Sequence, residues 1–257
     1  MKKKTIIFNW KMNPLSGGQA LALWKQYLVG LKKVDSQKFS VLVAPPFLYL
    51  PAIAAQKCSG PVALAGQNCF WGRQGAFTGE ISPAMLKAAG AEFVLLGHSE
   101  RRGVLGETNA QINQKVQAAL KERLGVVLCV GEETAQREEK SGYLRLQAQL
   151  KESLQNVSAT RLAGLILAYE PLWAISTTPG AAAQDTDGAL SSILYLRKIL
   201  GQTFSLKEAK KASILYGGSV NAKNIQQYVR QEGIDGVLVG GASLNGSEVL
   251  RILEQLN

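Results

Sequence analysis

One histidine in 257 residues, His98, sets the first limit on the chemistry open to this sequence. Only three cysteines accompany it, Cys58, Cys69 and Cys129, an odd number with no C-x-x-C pair. That is too sparse for a zinc site built from four Cys or His ligands, so no metal is expected. The same cysteine usage suits a reducing compartment, and the chain is expected in the cytoplasm. No apolar run approaches the roughly 18 residues that cross a bilayer. Lys2-Lys3-Lys4 resembles the basic start of a signal peptide, but Ile6-Ile7-Phe8 behind it is too short for an export core. The chain therefore reads as soluble. Acidic residues are outnumbered, 19 against 29 Lys and Arg, for a net charge of +10. That balance suits an anionic partner. The basic residues are scattered, with only short clusters at Lys32-Lys33 and Lys210-Lys211, so neither nucleic acid nor membrane is the expected partner.

What is present is core-forming material: 46% of the residues are hydrophobic. Short apolar runs alternate with longer helical patterns from end to end. The strands are expected at Thr5–Asn9, Phe39–Ala44, Val62–Ala65, Glu92–Leu96, Val126–Val130, Leu165–Ala168, Ser213–Tyr216 and Gly236–Val239. They are continuously apolar rather than alternating, as befits strands buried on both faces. Leu21, Trp24, Leu28 and Leu31 mark one intervening helix, and Ile112, Val116, Ala119 and Leu120 another. Val249, Ile252, Leu253 and Leu256 mark the last. Eight unbroken strand–helix units predict an α/β fold, a (β/α)8 barrel in one domain over residues 1–257. An open dinucleotide-binding sheet would want a glycine-rich turn after the first strand, where Asn9-Trp10-Lys11-Met12-Asn13 stands instead.

Barrel chemistry sits on the loops that follow the strands. Those loops carry Asn9 and Lys11, His98-Ser99-Glu100, Glu170-Pro171, Gly217-Gly218-Ser219 and Gly240-Gly241. A lone histidine is ordinarily structural, but His98 sits where a strand gives way to the polar run Ser99-Glu100-Arg101-Arg102. A helix N-terminus there would disfavour the charged imidazole and leave a neutral hydrogen-bond donor. Pro171 restricts Glu170 to extended angles, and cover by Leu172, Trp173 and Ile175 would suit its carboxylate to general-base work. Glu132, after the fifth strand, competes for that role. Lys11 could neutralise a phosphate, stabilise an oxyanion or form a Schiff base, and the residues alone do not separate these. The glycine turns after the seventh and eighth strands match the recurrent phosphate site of such barrels. The long stretch Gln67–Ser82, with Phe70, Trp71 and Phe77, reads either as a folded-back Ω-loop or as a subunit contact.

Six motifs in order carry a resemblance to the triosephosphate isomerase family, from about Thr5 to Leu250. They are Asn9-Trp10-Lys11-Met12-Asn13, Gly75-Ala76-Phe77-Thr78-Gly79-Glu80, His98-Ser99-Glu100-Arg101-Arg102, Ala168-Tyr169-Glu170-Pro171-Leu172-Trp173-Ala174, Tyr216-Gly217-Gly218-Ser219-Val220 and Val239-Gly240-Gly241-Ala242-Ser243. The resemblance implies interconversion of dihydroxyacetone phosphate and glyceraldehyde 3-phosphate, in glycolysis and gluconeogenesis, without cofactor or metal. It makes Glu170 the proton shuttle, neutral His98 the group that polarises the substrate oxygens, and Lys11 the cation that steadies them; this family is itself a standard illustration of that pairing. Asn9 would help arrange the site, with Glu100 and Ser99 supporting Lys11 and His98. Ser219, Gly240 and Gly241 would meet the phosphate. The resemblance also implies a homodimer in which Phe77 and Thr78 enter the neighbouring subunit and Met12 and Asn13 line the receiving pocket. One departure stands out in the sixth loop, Ser176-Thr177-Thr178-Pro179-Gly180. The family places a glycine at Ser176, whose amide meets the phosphate; a side chain there narrows the backbone, and altered lid kinetics are expected.

Overall fold

Eight short strands, β1 Lys4–Asn9, β2 Phe39–Ala44, β3 Val62–Gly66, β4 Phe93–Leu96, β5 Gly125–Val130, β6 Leu165–Tyr169, β7 Ser213–Tyr216 and β8 Gly236–Val239, pair in chain order into a closed parallel barrel. The computed structural model describes residues 2–56, 58, 60–132, 142–175 and 184–257. β1 and β8 close the barrel, with Thr5 opposite Gly236 and Phe8 opposite Val239. Every expected strand lies within a residue of the observed one. The continuous apolar runs divide by the strand's period of two. Ile7, Leu42, Leu95, Val127, Ala168, Leu215 and Leu238 fill the interior. Their neighbours Ile6, Phe8, Val41, Val43, Val94 and Val126 pack outward against the helices.

The helices are α1 Gly17–Leu31, α2 Leu50–Ala54, α3 Pro83–Ala88, α4 Ser99–Gly103, α5 Asn109–Lys121, α6 Gly142–Ser153, α7 Thr186–Thr203, α8 Leu206–Ala209, α9 Ile225–Arg230 and α10 Gly246–Glu254. The α5 stripe is buried as expected, and Thr108 with Gln111 closes a capping box at its start. In α1 the buried stripe is Ala20, Trp24, Tyr27 and Leu31, so the expected Leu21 and Leu28 flank it rather than form it. Tyr27 takes the central place because its hydroxyl is satisfied inside: it accepts from Trp10 Nε1 at 3.1 Å and donates to the Ser243 carbonyl at 2.7 Å. Ser243 Oγ in turn donates to the Asn9 carbonyl at 2.8 Å, tying the ends of β1 and β8 together.

The stretch Gln67–Ser82 folds back on itself. Phe70 N–H donates to the Ile81 carbonyl, and the Phe70 ring contacts Trp71 at 4.1 Å and Phe77 at 4.4 Å. Phe70 is buried, while Trp71 and Phe77 face outward. Burial also pushes the Cys69 thiol up to about 12 and holds that of Cys129 well above its ordinary value. Thiolate is the reactive form, so neither should react in the folded protein. A disulfide reagent such as DTNB at about pH 8 is expected to label only the half-buried Cys58 before denaturation. Rapid titration of more than one thiol in the native protein would contradict this packing.

Candidate active site

His98 and Glu170 stand at the ends of β4 and β6, the strands on either side of β5, one residue past the Gly97 turn and directly after β6. Gly97 adopts φ +69, a left-handed angle that swings the chain from β4 into α4, and a Cβ there would meet Arg102 Nη2 at 2.8 Å. His98 is the N-cap of α4, as anticipated for an imidazole at a helix start. The Glu100 backbone N–H donates to His98 Nδ1 at 3.3 Å, while the Glu100 carboxylate is 3.7 Å from the same atom. A nitrogen that accepts a hydrogen bond carries no proton, so the ring is neutral and its N–H is on Nε2. That Nε2 lies 3.2 Å from Glu170 Oε1.

Glu170 is 2% exposed and His98 6%. The backbone of Glu170 is fixed by its N–H donating to the Val130 carbonyl at 2.8 Å. Its second carboxylate oxygen accepts the Ser99 N–H at 2.9 Å. The backbone of Ser99 thus supports the carboxylate. Glu132, the rival carboxylate, accepts from Tyr169 OH at 2.7 Å and is turned to a structural partner.

Lys11 extends toward the same mouth. Its Nζ forms an ion pair with Glu100 Oε1 at 2.6 Å, as the supporting role of Glu100 anticipates. The residue adopts φ +53, a conformation that costs a non-glycine residue roughly 1–2 kcal/mol. Two neighbours offset that strain. Asn9 Oδ1 accepts the Lys11 N–H at 3.0 Å, and Gln67 Nε2 donates to the Lys11 carbonyl at 2.8 Å. Gln67 also donates to the Ala44 carbonyl, bridging the ends of β1 and β2. Sequence reading overlooked Gln67, because a glutamine after a strand carries no distinctive spacing. An ammonium paired with a carboxylate offers no lone pair for attack on a carbonyl, which disfavours the Schiff-base role.

The glycine turns fall where expected. Gly217 N–H donates to the Tyr169 carbonyl, and Gly241 opens a 3-10 turn, Gly241–Leu244, capped by Gly240. Ser219 N–H donates to the Ala174 carbonyl at 2.8 Å, so that amide is engaged and the hydroxyl is what Ser219 can offer an anion. Ser176 and the rest of the departing sixth-loop tip lie outside the described residues. Met12, Asn13, Phe77 and Thr78 are exposed on loops after β1 and β3. Cavity size is a poor guide here: a cleft of about 570 Å³ lies elsewhere, against Trp71, Lys121 and Arg161. Among the described residues no group of three His, Cys, Asp or Glu could hold a metal, and no helix is long and apolar enough to cross a membrane.

A base, a neutral imidazole donor and a cation at one barrel mouth suit proton transfer next to a carbonyl. Comparison with known proteins agrees. The family model described as triosephosphate isomerase matches residues 4–256. The chain belongs to the triosephosphate isomerase family. A triosephosphate isomerase of Citrifermentans bemidjiense is 42% identical over 253 residues, covering 98% of each chain. One from Dehalococcoides mccartyi is 40% identical over 255 residues, covering 99% of this chain and 97% of its own. A third, from Thermoanaerobacter pseudethanolicus, is 38% identical over 253 residues, covering 98% and 99%. His98, Glu170, Lys11 and both glycine turns all lie within the span matched to the triosephosphate isomerase family.

Proposed function

We propose that this protein interconverts dihydroxyacetone phosphate and glyceraldehyde 3-phosphate through an enediol(ate), serving glycolysis and gluconeogenesis without a cofactor. Glu170 removes a proton from C1 of the ketose; that C–H electron pair becomes the C1–C2 double bond, and the C2 carbonyl pair moves onto oxygen. His98 gives its Nε2 proton to that oxygen and takes the hydroxyl proton from the C1 oxygen. The Glu170 carboxylic acid then returns a proton to C2 as the carbonyl re-forms at C1. Lys11 places positive charge where the oxyanion develops, and Asn9 steadies Lys11. Ser219, Gly240, Gly241 and Ser176 bind the phosphate. The observation that carries this reading is the 3.2 Å approach of a buried carboxylate to the imidazole Nε2, on a ring whose Nδ1 accepts the Glu100 N–H. At that separation no carbon fits between them, so substrate entry turns the Glu170 side chain away from His98. A coupled assay on purified protein tests the reading: turnover of glyceraldehyde 3-phosphate supports it, and tight phosphoglycolate binding without turnover would leave only a ligand-binding protein.

The same reading takes the protein as a cytoplasmic homodimer, each chain a single barrel domain. Free thiols on all three cysteines support a reducing compartment. Exposed apolar side chains in the segments after β1, β2 and β3 support the dimer: Met12 is 90% exposed and Phe77 48%, and Leu15, Leu48 and, in α3, Met85 are exposed as well. Phe77→Asp is expected to give monomers of lower activity on size-exclusion chromatography. Unchanged mass and activity would reject the interface.

A further inference from the structure

Gln149 is a side chain of α6, 4% exposed, with no part in the chemistry above. Its carboxamide makes two hydrogen bonds to a single residue. The Gly131 N–H donates to Gln149 Oε1 at 2.9 Å, and Gln149 Nε2 donates to the Gly131 carbonyl at 2.9 Å. A neighbouring strand's peptide groups would ordinarily supply such partners. Here that strand is missing: β4 ends at Leu96, whose last partner on β5 is Leu128. Val130 and Glu132, on either side of Gly131, turn their carbonyls the other way and accept the N–H groups of Glu170 and Leu172. Gly131 therefore links the Gln149 carboxamide on one side to the Glu170 backbone on the other. The approach to Glu170 is so close that a Cβ on Gly131 would fall 1.9 Å from the Glu170 carbonyl oxygen.

We propose that Gln149 is a positioning residue for Glu170: its carboxamide stands in for the absent strand, fixes the Gly131 main chain, and so sets where the Glu170 carboxylate meets His98. The inference rests on Glu170 being the base. Gly131, Gln149, Glu170 and Leu172 line one cavity of about 20 Å³, together with Arg102 and Arg145, which gives the strand end space to shift once the carboxamide is lost. A misplacement of about 1 Å can cost about a hundredfold in rate. The phosphate turns after β7 and β8 are untouched by this change, so binding and turnover should separate.

Gln149→Met keeps the length of the side chain and removes both bonds. With glyceraldehyde 3-phosphate its kcat is expected to fall about ten- to a hundredfold, with KM and competitive inhibition by inorganic phosphate within about twofold. Gln149→Leu removes the same two bonds with a side chain of similar bulk and should lose as much; if Q149M does not fold, Q149L carries the same comparison. Glu170→Gln is measured alongside, and adding Q149M to it should cost little further turnover, since a positioning residue has nothing left to position. A folded Q149M with wild-type kcat, or one whose KM and phosphate inhibition weaken in step with kcat, overturns the proposal while an inactive E170Q leaves the base in place. Wild-type turnover in E170Q overturns the base assignment and takes the Gln149 proposal with it.

Discussion

Glu170→Gln should lower kcat by about 10²- to 10⁴-fold, the range that loss of a positioned general base produces. The substitution is nearly isosteric, so the hydrogen bond from Ser99 N–H and the backbone bond to Val130 both survive. What disappears is a group able to hold the substrate proton between its two carbons. Thermal stability should change little, because a neutral amide is easier to bury than a carboxylate. KM should stay near its original value, since in the proposed reading the turns after β7 and β8, not Glu170, hold the phosphate. Steady-state kinetics in both directions, with a melting curve on the same preparation, separates these effects. A variant with near-normal turnover would remove Glu170 from its role.

The second large effect is expected at Lys11. Lys11→Met keeps an aliphatic stem of similar reach and removes the ammonium. Loss of one group that stabilises a developing oxyanion typically costs about 10²- to 10³-fold in kcat. KM should rise as well, because the same cation attracts an anionic substrate before reaction. The fold should tolerate the change. Glu100, the partner left behind, is partly exposed and can be solvated, and the two backbone bonds from Asn9 and Gln67 that hold φ +53 do not involve the side chain. Lys11→Arg should rescue poorly, since a planar guanidinium is longer and cannot replace a compact ammonium in a pocket shaped by Glu100. Kinetics of the methionine variant within a few-fold of the parent would show that the cation is dispensable.

The sequence disclosed most of the architecture because barrel strands advertise themselves as continuous apolar runs between amphipathic helices. Their ends, and with them His98 and Glu170, followed from the same pattern. Three things were hidden for physical reasons. Tyr27 did not announce itself as core because its hydroxyl is satisfied only by partners far along the chain, Trp10 and Ser243. Gln67 and Gln149 act through carboxamides that replace missing peptide groups, and the need for them appears only when one strand ends before its neighbour. The link between Ser99 and Glu170 was the third: only folding brings the carboxylate to that N–H.

Proton transfer by way of a carboxylate leaves an isotopic trace, and following it tests the account at its centre. With the wild-type protein in D2O and unlabelled glyceraldehyde 3-phosphate, nuclear magnetic resonance should find deuterium on C1 of the dihydroxyacetone phosphate formed, at a rate that collapses in Glu170→Gln. A product that keeps all its carbon-bound hydrogen as protium, or no product at all, would contradict it.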